Sequence, residues 1–62
     1  MIDLGTIIRG RRQELRLTQQ ALADMSGVSV RVIKQIETSG GNPSLRTIVK
    51  LLQSLGLQLK IG

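Results

Sequence analysis

Four carboxylates and nine cationic side chains make up the ionisable chemistry of this 62-residue sequence, which contains no His, no Cys and no aromatic residue. The acids Asp3, Glu14, Asp24 and Glu37 stand singly along the chain. That spacing offers no local pair in which one carboxyl donates a proton while its neighbour accepts one. Ser and Thr hydroxyls have no imidazole to activate them, so nucleophilic catalysis also lacks its usual base. The missing Cys and His remove a disulfide framework and a zinc or haem site of the usual kind. The sequence therefore predicts a protein that is not an enzyme, uses no cofactor or metal, and has no small-molecule substrate.

The cations are Arg9, Arg11, Arg12, Arg16, Arg31, Lys34, Arg46, Lys50 and Lys60, which leave a formal net charge of +5. Such an excess on a short chain favours a polyanionic partner. Readers of RNA and single strands stack bases on Phe, Tyr or Trp, and none is present here, so double-stranded DNA is the partner expected. No apolar run approaches the roughly 18 residues of a membrane span, and the first residues show no signal-peptide pattern. A cytoplasmic location without a membrane partner follows as the expectation.

The elements that must position these groups are set out by punctuation residues. Asp3 is an N-cap candidate for a first helix with Leu4, Ile7, Ile8 and Leu15 on its apolar face. Gly5 and Gly10 lie inside that helix, where each costs about 1 kcal/mol against Ala unless close packing needs it. Thr18 caps a second helix carrying Leu22, Ala23 and Met25, with Met25 read as core filler, and Gly27 ends it. Ser29 caps a third helical pattern from Val30 to Glu37 that turns Ile33 and Ile36 inward. Thr38 to Pro43 reads as a loop. Ser44 caps a fourth helix with the stripe Leu45, Ile48, Val49, Leu52 and Leu55, which stops at Gly56. Residues 57–61 then alternate Leu57, Gln58, Leu59, Lys60, Ile61, the period of a strand.

Two short helices joined by a glycine-containing turn, spanning 18–37 as TQQALADMSGVSVRVIKQIE, constitute a helix-turn-helix. The whole chain, 1–62, is then one domain. Leu17–Thr18–Gln19, Leu22–Ala23, Gly27–Val28–Ser29, Ile33, Ile36–Glu37 and Asn42–Pro43–Ser44–Leu45 together resemble the Cro and phage-repressor type of helix-turn-helix, the XRE family. The resemblance covers roughly residues 4 to 56. It implies an all-α fold of four helices, five at most, followed here by the short C-terminal strand. It also implies a DNA-binding transcriptional regulator.

Carried over position by position, the resemblance makes 29–38 the recognition helix, lying in the major groove. It places Val30, Arg31, Lys34 and Gln35 against the bases, Arg31 suiting guanine O6 and N7 and Gln35 suiting adenine N6 and N7. Val30 departs from the polar residue common at its position and suits a thymine methyl. Thr18, Gln19, Ser29, Asn42, Ser44 and Arg46 fall where phosphates are met. Arg12 and Glu37 match a pair that in the family ties helix one to the end of the recognition helix. Arg9, Arg11, Arg16 and Lys50 read as solvated surface.

A lone edge strand is association-prone, so Leu57, Leu59 and Ile61 are expected to pair antiparallel with the same strand of a second copy in a homodimer. Repression from an inverted-repeat operator is the regulatory mode anticipated. Helix-turn-helix antitoxins paired with kinase-type toxins look like this at their C-terminus, which makes an antitoxin with a toxin partner the more specific alternative. A protein-interaction module that has lost DNA binding is the rival of a different class, and Val30 is the feature that favours it.

Overall fold

The computed structural model describes residues 3–58, which form four helices: α1 (Leu4–Glu14), α2 (Gln19–Ser26), α3 (Val30–Ser39) and α4 (Leu45–Ser54). Each begins on the side chain that its sequence supplies. Asp3 accepts from the Thr6 N–H at 3.3 Å, Thr18 from Ala21 at 2.9 Å, Ser29 from Val32 at 3.2 Å and Ser44 from Thr47 at 3.1 Å. Every cap thus satisfies the N–H three residues on, one of the donors a helix start otherwise leaves unpaired.

The helix ends follow a common logic. Gly27 leaves α2 with φ 75°, and Gly56 leaves α4 with φ 72°. After α4 the Gly56 N–H donates to the Gln53 carbonyl at 3.1 Å and the Leu57 N–H to the Leu52 carbonyl at 2.8 Å, a Schellman motif. The end of α1 repeats the pattern: Arg16 N–H donates to Gln13 and Leu17 N–H to Arg12, both at 3.0 Å. The left-handed position there, φ 57°, is filled by Arg16, where glycine would carry no steric cost.

Two sequence-based boundaries change. The third helix continues through Thr38 and Ser39, which were expected in the loop. Ser39 Oγ donates to the Gln35 carbonyl at 3.1 Å, so its hydroxyl is satisfied within the helix, and the left-handed residue that ends it is Gly40 at φ 79°. At the other end of the chain no strand occurs among the described residues. Leu57 is half-buried on the core with its N–H committed to α4, and Gln58 is in neither helix nor strand. The rest of the expected strand, Leu59 to Ile61, lies outside the described residues.

The core consists of Ile8, Leu22, Ala23, Val28, Ile33, Ile36, Leu51, Leu52 and Leu55, all of them apolar. Helix α1 packs on α3, while α2 packs on both α3 and α4. Periodicity placed more residues inside than the fold does. Met25 is 55 % exposed and Leu45 60 %, so neither is a core residue. Ile7 and Leu15 are also exposed, which leaves Ile8 as the fully buried side chain of α1. An amphipathic helix buries one stripe, and with α3 as its main neighbour α1 keeps its flanks in solvent. No described helix is long and apolar enough to cross a membrane.

The two glycines of α1 have opposite surroundings. A Cβ on Gly5 would collide with the backbone carbonyl oxygen of Ile36, whereas one on Gly10 meets nothing within 4 Å. Gly5 is therefore the point at which α1 and α3 touch backbone to side-chain-free backbone. Urea unfolding should find Gly5→Ala destabilised by about 1–3 kcal/mol, because the main chain has to move. Gly10→Ala should gain about 0.5–1 kcal/mol from helix propensity. Equal effects at the two sites would contradict the packing just described. By the same measurement Arg16→Gly should gain about 1 kcal/mol as the left-handed strain is relieved; a loss would show that the arginine side chain holds the turn.

Candidate nucleic-acid interface

The candidate interface is built around α3. Positions 31, 34 and 35 lie one turn apart on one side of this helix, opposite buried Ile33 and Ile36. Arg31, Lys34 and Gln35 are all exposed, and their side chains make no hydrogen bond to other described residues. Val30 differs from them. It is half-buried and packs against the core, so only part of it faces outward.

Beneath the end of α3 sits the principal polar cluster of the structure. Arg12 Nε donates to Glu37 Oε2 at 2.8 Å and Arg12 Nη2 to Glu37 Oε1 at 2.9 Å, a bidentate pair. Arg12 Nη1 donates in addition to the Leu17 carbonyl at 2.8 Å, and Gln19 Nε2 to Glu37 Oε1 at 3.2 Å. The side chains of Arg12 and Glu37 are only 12 % and 4 % exposed. Burial works against the charged form of Glu37. Hydrogen bonds from Arg12 and Gln19, together with the charges of Arg12 and Arg9, outweigh it and hold the carboxyl below its ordinary value of 4.5. Arg12 is shifted upward, chiefly through its hydrogen bond to Glu37.

The remaining candidate residues fall into two groups. Thr18, Ser29 and Ser44 are exposed, and their hydroxyl oxygens already accept capping hydrogen bonds. That leaves the hydroxyl protons of Thr18 and Ser29, while Ser44 Oγ also shares a hydrogen bond with Thr47 Oγ1 at 3.0 Å. Asn42 and Arg46 are exposed on the α3–α4 loop and the first turn of α4. Gln19 is half-buried and has one amide N–H committed to Glu37. Leu59 and Ile61 of the expected dimer strand lie outside the described residues. No group of carboxylates among the described residues could hold a metal ion.

Two residues were missed in the sequence. Arg11, read as solvated, donates from Nε to the Leu55 carbonyl at 2.9 Å and from Nη1 to Glu14 at 3.2 Å, so it ties α1 to the end of α4. Arg9 lines a polar pocket together with Arg12, Gln13, Gln19, Glu37 and Thr38. The available signal was helical spacing, since 9, 12 and 13 share one side of α1.

Comparison with known proteins agrees with this arrangement of helices. The helix-turn-helix family profile matches residues 8–61, nearly the whole chain. The chain belongs to the helix-turn-helix family, and to its Cro and phage-repressor type. An uncharacterized HTH-type transcriptional regulator of Haemophilus influenzae is 44 % identical over 50 residues, covering 81 % of this chain and 51 % of the relative. One of Sinorhizobium fredii is 32 % identical over 59 residues, 95 % of this chain and 78 % of its own length. One of Methanothermobacter thermautotrophicus is 38 % identical over 53 residues, 86 % and 77 %. The chain thus spans about half the length of the Haemophilus relative and over three quarters of the other two. No solved structure matches at a significant level.

For this helix-turn-helix domain the Arg12–Glu37 pair should be visible in acid. A carboxyl whose pKa is lower folded than unfolded adds stability above its unfolded pKa and loses it as pH falls through the folded one. The pair's contribution should therefore be complete above about pH 4.5 and decline below it. Glu37→Gln should lower the stability at neutral pH by about 2 kcal/mol, the scale of hydrogen bonds to a charged group. Its stability should also fall less steeply than the wild type's on acidification. Asp3, likewise shifted downward by its hydrogen bonds to Thr6, leaves a residual acid dependence in both proteins. Chemical unfolding from pH 7 to 3 checks this, and parallel profiles for the two proteins would refute it.

Proposed function

We propose that this helix-turn-helix domain binds duplex DNA sequence-specifically and regulates transcription, with α3 laid in the major groove. The observation that carries the reading is the exposed row of Arg31, Lys34 and Gln35, unengaged by other described residues and carried on a helix fixed from behind. Arg31 offers a bidentate donor pair for guanine, and Gln35 a donor and acceptor for adenine. Lys34 adds a cation that reaches a base or a phosphate. Thr18, Gln19, Ser29, Asn42, Ser44 and Arg46 are the backbone contacts in this reading, and Val30 touches a thymine methyl with the part of its side chain that is exposed. The names of the relatives, HTH-type transcriptional regulators, support the same class of function.

The domain acts as a homodimer on an inverted repeat, its two recognition helices about 34 Å apart in successive major grooves. The small core and the apolar–polar alternation of Leu59, Lys60 and Ile61 support dimerisation, because an edge strand formed there would be satisfied by pairing with a second copy. Leu57, by contrast, is already committed to the core and to α4. Repression then follows from occupying DNA that polymerase needs. No covalent chemistry is involved.

Fluorescence anisotropy with duplex at two salt concentrations tests the reading. Binding should weaken steeply as salt rises, since each neutralised phosphate releases counterions. On an operator obtained by in-vitro selection, Arg31→Ala should cost about 1–3 kcal/mol and relax preference at one base pair. Lys50→Ala, on the exposed side of α4, should change little. Absence of salt-sensitive binding at low salt would overturn the proposal and leave a protein-interaction module. Light scattering with size exclusion reports the dimer, and a strict monomer at high micromolar concentration would remove that part of it.

A further inference from the structure

The pocket beside the Arg12–Glu37 pair has a composition that the fold alone does not require. It encloses about 410 Å³ and is lined by Arg9, Arg12, Gln13, Gln19, Glu37 and Thr38, without an apolar side chain. The carboxylate in it is not available to a ligand. Glu37 is 4 % exposed, and both its oxygens are occupied by Arg12, one of them also by Gln19. The pair is neutral as a unit, so the charge that remains at the pocket is that of Arg9. Arg9 is exposed and makes no hydrogen bond to other described residues, yet it is close enough to Glu37 to help hold that carboxyl ionised. Around it stand the exposed amide of Gln13, the second N–H of Gln19 and the hydroxyl of Thr38. An uncommitted cation among amide and hydroxyl donors, over a neutralised floor, suits an anion with several acceptor oxygens.

The position of the pocket decides which anion. Thr38 continues the row of Arg31, Lys34 and Gln35 by one further turn of α3. The pocket, with Thr38 in its wall, therefore borders the C-terminal end of the same helical face that the proposed function sets in the major groove. A groove is bordered by backbone phosphates, and a pocket at the end of the helix row meets the strand flanking the bases read.

We propose that Arg9, with Gln13, Gln19 and Thr38, forms a phosphate-binding position for the backbone of duplex DNA. This inference rests on the proposed function above. Arg9 is a positioning contact in this arrangement: it fixes the register of α3 on the duplex and carries no sequence information.

Salt titrations of duplex binding by anisotropy test it. The logarithmic salt slope of Arg9→Ala should be smaller in magnitude than the wild type's by about 0.9, one phosphate's worth. Over a fourfold change in salt, the wild type should then lose about 3.5-fold more affinity than the variant. The loss should be the same on a selected operator and on unrelated duplex, unlike that of Arg31→Ala. Arg9→Lys should restore the slope, and Lys50→Ala should leave it unchanged. An unaltered slope in Arg9→Ala, with wild-type binding intact, overturns this assignment and leaves the proposed function standing. A changed preference at a single base pair overturns it as well, since Arg9 would then be a base reader. A wild type that shows no salt-sensitive duplex binding overturns both. Arg9 is exposed, and an unfolding midpoint equal to the wild type's confirms that the comparison is between folded proteins.

Discussion

Two consecutive residues of α3 are held by α1, by different physics. Ile36 presents its carbonyl to Gly5, which lets the two helices approach to a distance that any side chain would forbid. Glu37 receives the fork of Arg12 in two short hydrogen bonds. Gly5, Ile8 and Arg12 are spaced three and four apart, so steric contact, apolar burial and ion pair follow one line along α1. A glycine contact sets how near the helices lie but leaves rotation free. A bidentate guanidinium–carboxylate contact is planar and directional, and it removes that freedom. Two further hydrogen bonds support the pair: the Leu17 carbonyl accepts from Arg12 Nη1, and Gln19 from α2 shares a Glu37 oxygen. Three helices thus meet at one carboxylate, and the orientation of α3 is set there.

The pair also governs what charge is left for a partner. Of the nine cationic residues, Arg12 is neutralised by Glu37, and Arg11 is engaged by the Leu55 carbonyl and Glu14. Arg31 and Lys34 face outward from α3, Arg46 from the start of α4 and Arg9 from the pocket rim. Internal engagement of Arg11 and Arg12 thus leaves Arg9, Arg31, Lys34 and Arg46 as the exposed cations of the candidate interface, with Arg16 and Lys50 exposed elsewhere. Isolated surface ion pairs contribute little stability, and Arg11–Glu14 is one of these. Its neighbour Arg12 differs through burial, where an unpaired charge would be costly.

Much of this was legible in the sequence, and what escaped has identifiable causes. The four caps could be read because a Ser, Thr or Asp side chain bonds only three residues away, a local interaction. Gly27 and Gly56 were likewise local signals. The end of α3 was misjudged because Thr38 and Ser39 favour loops by composition, while the left-handed residue that stops the helix is Gly40. Burial of Met25 and Leu45 was overestimated because periodicity reports a helix face without saying whether a neighbour covers it. The roles of Arg9 and Arg11 depend on residues 28 and 44 positions away, Glu37 and Leu55, and no spacing rule spans such separations. Arg12 and Glu37 are 25 apart and equally remote; the family resemblance linked them, as the residues alone did not.

The turn from α1 into α2 shows how the fold balances economy against this constraint. A Schellman motif asks for a left-handed residue, and Arg16 occupies that position although glycine would be easier there. The turn is nevertheless closed, because the residue after it, Leu17, is fixed twice. Its N–H returns to the Arg12 carbonyl, and its own carbonyl accepts from the Arg12 guanidinium. Arg12 therefore ends its own helix and orients the next, since Thr18 caps α2 one residue later. Loosening Arg12 would release the carbonyl that steadies this turn together with the carboxylate that steadies α3. The angle between the two helices of the helix-turn-helix is then not a property of the Gly27 turn alone. It is held from behind by α1 through one side chain, with the left-handed strain at Arg16 borne by the hydrogen bonds on either side of it.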